Sequence, residues 1–215
     1  MSFFHAGPAA QAFGPRPGAL RDGLNLAPGM RVGLFGGSFN PAHDGHAHVA
    51  ETAMRRLDLD RVIWMVSKQN PLKDAADTAP LAERMASARA AAATAASGQA
   101  MVVSDVESRI RTGWTVDTLR ALTARHPGVH FVWLMGSDNL ASFHLWRGWT
   151  DIMRLMPVAV IARQGRNPDA VLAEIAATNA KLDALGLVLD SDPRRAPAIA
   201  HRVTPATVRA RRPLY

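Results

Sequence analysis

The sequence predicts an α/β fold in which a central parallel sheet is flanked by helices in three layers, and three observations carry that expectation. From Met30 onward, short apolar runs alternate with longer stretches of helical periodicity, the order expected of β-α units feeding a parallel sheet. A glycine pair, Gly36-Gly37, follows the first apolar run, where a chain turning from strand to helix needs residues without side chains. Of the 215 residues, 48% are hydrophobic and 20% charged, enough apolar material for one large domain with a buried core.

The elements follow in chain order. Residues 1–29 hold four prolines and five glycines with little periodicity and read as a flexible leader, leaving residues 30–215 as a single domain. Met30 directly precedes the first strand, so the leader is expected to be dispensable, or translation to begin at Met30. The expected strands are Arg31 to Phe35, Arg61 to Val66, Met101 to Ser104, His130 to Met135 and Val158 to Ala162. The first helix is expected over Gly45 to Leu57, with Ala47, Ala50, Met54 and Leu57 on one face. A second, alanine-rich helix runs from about Pro80 to Ser97 and stops at Gly98. A third begins near Thr115 and ends at His126-Pro127-Gly128. A fourth begins near Asp138, with Phe143, Trp146 and Met153 at spacings of three and seven. Parallel strands joined by helices place ligands at the carboxyl ends of the strands.

Composition excludes several functions. No cysteine is present, which removes disulfides, thiolate metal sites and cysteine nucleophiles together. No apolar run reaches the roughly 18 residues that span a bilayer, and the N-terminus lacks a secretory layout, so a cytoplasmic protein is expected. The formal charge of +7 is concentrated: six arginines and no acid lie between Arg194 and Tyr215, leaving the rest near neutrality. Such a tail can bind polyphosphate or nucleic acid, or be a solvated tail with no ligand.

The chemistry-bearing stretch is Gly36-Gly37-Ser38-Phe39-Asn40-Pro41-Ala42-His43-Asp44-Gly45-His46. Glycines after a strand let backbone N–H groups approach an anion, although they also serve plain tight turns. His43 and His46, three residues apart at a helix start, can present both imidazoles to the same end of the sheet. There they can hydrogen-bond phosphate oxygens and stabilise the charge that grows during phosphoryl or nucleotidyl transfer. The alternatives are two capping histidines, or a zinc pair for which no third ligand stands nearby. His48 reads as a bystander.

This string resembles the G-G-x-F-D/N-P-x-H-x-G-H element of the nucleotidyltransferase superfamily, and the rest of the chain is similar to its nicotinate-nucleotide adenylyltransferase branch. The resemblance runs from about Val32 to Arg163 and, more faintly, to Arg209. Ser67-Lys68-Gln69-Asn70-Pro71-Leu72-Lys73 matches the family's loop beside the substrate phosphates; by itself it is a turn with two cations. Gly113-Trp114-Thr115-Val116-Asp117-Thr118-Leu119 resembles an aromatic-Thr-x-x-Thr-Leu element, and Gly136-Ser137-Asp138 through Phe143, Trp146, Trp149 and Ile152 resembles the branch's G-x-D…F…W…W…I pattern. Arg163-Gln164-Gly165 stands where Arg-Pro-Gly is usual. Thr204-Pro205-Ala206-Thr207-Val208-Arg209 replaces part of a S-S-T-x-I/V-R element, with Pro205 and Ala206 in place of a hydroxyl pair.

The resemblance implies a Rossmann-like nucleotidyltransferase fold and transfer of the adenylyl group of ATP to nicotinate mononucleotide, with magnesium arriving on ATP. It implies that His43 and His46 act on the ATP phosphates, Gly36, Gly37 and Ser38 form the anion-binding turn, Phe39 and Asn40 also bind substrate, and Arg209 holds the leaving pyrophosphate. Lys68 and Lys73 offset substrate phosphate charge, Gly136 and Asp138 border the adenosine, Thr115 and Trp146 the nicotinate, and Arg163 the nucleotide site. The residues alone leave Thr115 as an ordinary N-cap and Trp146 and Trp149 as core. Other phosphate acceptors, nicotinamide mononucleotide or phosphopantetheine, and a non-enzymatic nucleic-acid binder using the arginine tail are the alternative functions.

Overall fold

The computed structural model describes residues 22–68 and 78–162, together with positions 169, 170, 173, 176, 177, 180 and 181. Its strands are β1 (Arg31–Gly37), β2 (Arg61–Val66), β3 (Met101–Ser104), β4 (His130–Gly136) and β5 (Val158–Ile161). Its α-helices are α1 (Asp44–Leu57), α2 (Leu81–Ala93), α3 (Val106–Ile110), α4 (Thr115–Arg125), α5 (Leu140–Phe143) and α6 (Trp149–Leu155). The sheet order is β3-β2-β1-β4-β5, and every neighbouring pair is parallel. This is the Rossmann-like arrangement of layers that the sequence predicts.

Because successive side chains leave a strand on opposite faces, each central strand feeds two cores in alternation. Ile63 and Met65 enter one cluster, with Trp133, Met135, Leu119, Leu122, Phe143 and Ile152. Val62, Trp64 and Val66 enter the other, with Phe35, Leu134, Ala50, Ala53, Met85 and Ala88. The α1 and α2 residues at this second face are mostly alanines, so both helices can sit close to the sheet. The stripe expected on α1 is found: Ala47 and Ala50 are buried, and Met54 and Leu57 pack at its edge.

Three boundaries differ from expectation for physical reasons. The second helix ends at Ala93 rather than Ser97, where Thr94 folds its Oγ1 back onto the Ala91 carbonyl at 2.8 Å and ends the ladder. The fourth expected helix is two short helices, α5 and α6, separated by a turn at Gly148 with φ of 66°. A Cβ on Gly148 would approach Val116 of α4 at 3.1 Å, so the break also allows close helix packing. Helix α3 was not anticipated, because five residues are too few to show a helical period.

Residues 22–29 correct the expected extent of the flexible leader. Leu24 is 1% exposed within the first cluster, and the Arg61 guanidinium donates to the carbonyls of Leu24 and Asn25 at 2.9 and 3.0 Å. An apolar side chain five residues from the end of a Gly/Pro-rich run carries no periodic signal, so the sequence did not separate it from the rest. Among the described residues, no helix is long and apolar enough to cross a membrane.

Candidate active site

A cleft of about 400 Å³ opens at the carboxyl ends of the strands. β1 is the turning point of the sheet, with β2 and β3 added on one side and β4 and β5 on the other. The crevice outside such a switch point is where open α/β sheets bind ligands.

One wall is the stretch from Phe35 to His46. Gly36 and Gly37 are not in a turn, as the sequence reading had them; they are the last residues of β1, paired with Met65 and Val66 of β2. Their missing side chains make room for aromatic rings. A Cβ on Gly36 would lie 2.3 Å from Trp133 Cη2, and one on Gly37 3.0 Å from Phe39 Cζ. The turn itself starts at Ser38. Phe39 adopts φ of 48°, a conformation costly for an aromatic side chain. Its ring is held there by stacking on Trp64 at 5.2 Å and by an edge contact with Phe35 at 5.5 Å. Asn40 Oδ1 accepts from the Ala79 N–H at 3.1 Å, tying the turn to the segment that leads into α2.

His43 and His46 cap α1 reciprocally. His43 is the N-cap, and its Nδ1 accepts from the Gly45 N–H at 3.1 Å, while His46 Nδ1 accepts from the His43 N–H at 3.2 Å. Both the capping reading and the site reading therefore hold for these residues. An Nδ1 that accepts a backbone hydrogen bond leaves Nε2 as the hydrogen-bearing nitrogen of a neutral ring, which assigns the same tautomer to both imidazoles. The rings lie 4.0 Å apart between centroids, and the edge of Phe39 supports His46 at 5.1 Å. Both histidines line the cleft as paired donors.

The opposite wall comes from the chain around α4 and α5. Thr115 lines the cleft but is not the N-cap of α4; that position belongs to Trp114, and no side chain caps the helix. Buried Thr118 sets this boundary, its Oγ1 meeting Thr112 Oγ1 at 2.7 Å and donating to the Trp114 carbonyl at 3.2 Å. Trp146 lines the cleft and also packs edge-on against Trp133 at 6.2 Å and Phe143 at 5.6 Å. Trp149 sits behind it against Phe143, in the packing role expected. Asp138 is exposed in the cleft, whereas Gly136 is the buried end of β4 and lies outside the lining. The Lys68 side chain is exposed and also lies outside it; its neighbour Ser67 is in the lining. Lys73, Arg163 and Arg209 lie outside the described residues.

Trp133, Arg147 and Glu107 are among the lining residues that sequence reasoning missed. Trp133 was visible only as one apolar member of a strand, and its alternation with Leu134 was the available signal. Arg147 places its guanidinium carbon 5.1 Å from the Trp114 ring centroid, an arginine-over-indole contact on the rim. Glu107 is the buried carboxyl of the site; burial pushes its pKa above the usual carboxylate range, against the opposing effect of the Lys68 N–H that it accepts at 3.4 Å. A lone glutamate in a charged run gave no sign of this.

Residues 34–200 match the model of the cytidylyltransferase-like family. The chain belongs to that family. A probable nicotinate-nucleotide adenylyltransferase of Caulobacter sp. (strain K31) is 67% identical over 134 residues, which are 62% of this chain and 69% of that protein. One of Methylorubrum extorquens (strain PA1) is 49% identical over 177 residues, 82% of this chain and 90% of its own. These relatives carry the name of the nicotinate-nucleotide adenylyltransferase branch, which the motifs resemble. Among solved structures, the Plasmodium falciparum nicotinic acid mononucleotide adenylyltransferase complexed with NaAD superposes with a TM-score of 0.58 at 17% identity, covering 67% of this chain and 71% of that one. At that identity the likeness shows the shared nucleotidyltransferase fold.

Proposed function

We propose that this enzyme transfers the adenylyl group of ATP to nicotinate mononucleotide, releasing pyrophosphate and forming nicotinate adenine dinucleotide. The observation that carries the reading is the pairing of the two imidazoles, held as matched donors by the start of α1, across one cleft from Trp146 and the uncapped start of α4. The names and high identity of the relatives support the substrates.

The nucleophile is a phosphate oxygen of the mononucleotide, already ionised near neutral pH. It forms a new P–O bond to the α-phosphorus while the bond from that phosphorus to the bridging α-β oxygen breaks, and the electron pair leaves with pyrophosphate. No protein base is needed, so catalysis consists of alignment and stabilisation of charge on the phosphates. The Nε2–H groups of His43 and His46 are the donors suited to that charge. Ser38, Phe39 and Asn40 shape the turn on the ATP side, Gly36 and Gly37 its floor, and Asp138 borders the adenosine. Thr115 at the start of α4 receives the nicotinate carboxylate, since an uncapped helix start favours an anion; Trp146 offers its face to the cationic pyridinium ring. Lys68, Lys73, Arg163 and Arg209 add cationic charge around the phosphates, and Gly136 ends the strand that carries Asp138. The chain from Asp22 onward acts as one catalytic domain, in the cytoplasm.

Magnesium fits as a passenger on the triphosphate. Among the described residues, no group of three or more histidines and carboxylates converges as a metal cage, and magnesium commonly keeps waters and substrate phosphates as its ligands. When bound, it offsets phosphate charge.

The decisive assay is pyrophosphate release with ATP, magnesium and each mononucleotide. Turnover with nicotinate mononucleotide, slower turnover with its nicotinamide analogue, and a fall on the order of 10²-fold in His46→Ala are expected. Equal rates on the two mononucleotides would sink the carboxylate assignment, and wild-type turnover by His46→Ala would sink the role of His46.

A further inference from the structure

Arg84, in the first turn of α2, is 2% exposed, and among the described residues no carboxylate pairs with it. Its hydrogen bonds go to backbone carbonyls: Nε donates to Ala79 at 2.8 Å, Nη1 to Ser38 at 2.9 Å and to Ser67 at 2.8 Å, and Nη2 to Lys68 at 3.0 Å. A buried guanidinium is costly to desolvate, and its planar fork of fixed donors is suited to holding several acceptors in one geometry. The acceptors here are telling. Ser38 opens the turn that leads to His43 and His46; Ser67 and Lys68 open the segment after β2, at the other side of the cleft floor. One nitrogen, Nη1, touches both.

The same segment is gripped from its other side. The peptide joining Ser67 to Lys68 gives its carbonyl to Arg84, and its N–H points the opposite way, to Oε2 of Glu107 at 3.4 Å. Glu107 and Ser67 both line the cleft. The peptide is thus fixed between a buried cation and a buried carboxyl, neither of which the proposed chemistry uses.

We infer that Arg84 is a positioning residue that sets the separation of the carboxyl ends of β1 and β2 in the cleft floor through its bridge from Ser38 to Ser67, with Glu107 fixing the tilt of the Ser67–Lys68 peptide. The inference rests on the adenylyl-transfer reading above. In a displacement between two bound phosphates with no protein base, the rate depends steeply on the distance and line between the attacking oxygen and the phosphorus. A residue that fixes the spacing of these two strand ends therefore acts on kcat more than on the binding of either substrate alone.

The test uses the full chain and pyrophosphate release, with KM measured for ATP and for nicotinate mononucleotide separately and thermal unfolding recorded for each variant. Arg84→Lys keeps the charge and loses the fork; its kcat is expected to fall roughly 30- to 100-fold while each KM stays within about threefold. Glu107→Ala is expected to lower kcat about tenfold, and Glu107→Gln, which still offers an oxygen to the Lys68 N–H, to recover most of that loss. Wild-type kcat in Arg84→Lys overturns the inference, as does a loss that appears in KM alone. Arg84→Gln replaces Arg84→Lys if the latter does not fold; if neither folds, Arg84 is a structural support and the positioning role is lost. A wild-type chain without turnover on nicotinate mononucleotide overturns the functional reading instead.

Discussion

Asp22 and His126, 104 residues apart in the chain, form a buried pair with Oδ2 and Nε2 separated by 2.7 Å. The second Asp22 oxygen accepts from the Leu24 N–H at 3.2 Å, so one carboxylate anchors the segment before β1 to the end of α4. A chain beginning at Met30 loses this anchor and exposes the apolar surface that Leu24 covers. Its urea midpoint is expected to drop by the equivalent of about 2–4 kcal/mol, the sum expected for one buried leucine and one unpaired buried polar group. An unchanged midpoint would return residues 22–29 to the status of a dispensable leader.

Cap and chemistry can be separated at His43. Asparagine is a good N-cap, so His43→Asn should cost less than about 0.5 kcal/mol of stability, whereas His43→Ala should cost about 1 kcal/mol. Both should lose turnover on the order of 10²-fold, because neither retains an imidazole donor. If His43→Asn kept wild-type turnover, the histidine would be a cap alone.

Gly36→Ala puts a methyl group 2.3 Å from a rigid indole that is itself fully packed. Overpacking of this kind costs about 1–3 kcal/mol. Since Trp133 also meets Trp146 edge-on, the displaced ring should carry the disturbance into the cleft, raising KM for the mononucleotide more than for ATP. Steady-state kinetics beside urea unfolding measure both effects; a variant with normal stability would refute the close approach.

Burial holds the Glu107 pKa above its ordinary value, so the folded protein takes up a proton that the unfolded chain does not. The sign follows from linkage: stability declines as pH rises from the ordinary carboxylate range through the raised value, and is flat beyond it. Glu107→Gln has no charge to bury and is expected to flatten this part of the stability curve, leaving the variant at least as stable as the parent near neutral pH. Unfolding midpoints measured from pH 4 to pH 8, taken as a range that spans about the usual carboxylate pKa and neutrality, would expose a contrary result as a parallel decline in both proteins.

Much of the fold and one wall of the site were legible in the sequence. The short apolar runs at Arg61 to Val66 and Met101 to Ser104 gave strands with the observed bounds, because a strand of a sheet covered on both faces is apolar along most of its length. The string from Gly36 to His46 located the cleft, since it combines a strand end, a turn and a helix start within one local stretch.

The opposite wall and the supports beneath both needed tertiary structure. Gly36 reads as a turn glycine until Trp133 of the neighbouring strand is seen against it. Arg84 carries no signal in the sequence; its role rests on the meeting of Ser38 and Ser67 at its guanidinium, contacts that span 46 and 17 residues of chain. Glu107 gains its raised pKa from being enclosed, and Asp22 its importance from a histidine over a hundred residues away. Local order in the chain determines which backbone conformations are favoured and which chemistry lies next to which, and so the sequence alone determined the β-α architecture and the histidine turn. Burial, close approach and the partner of a charge depend on distances between remote segments, which exist only once the sheet has brought those segments together.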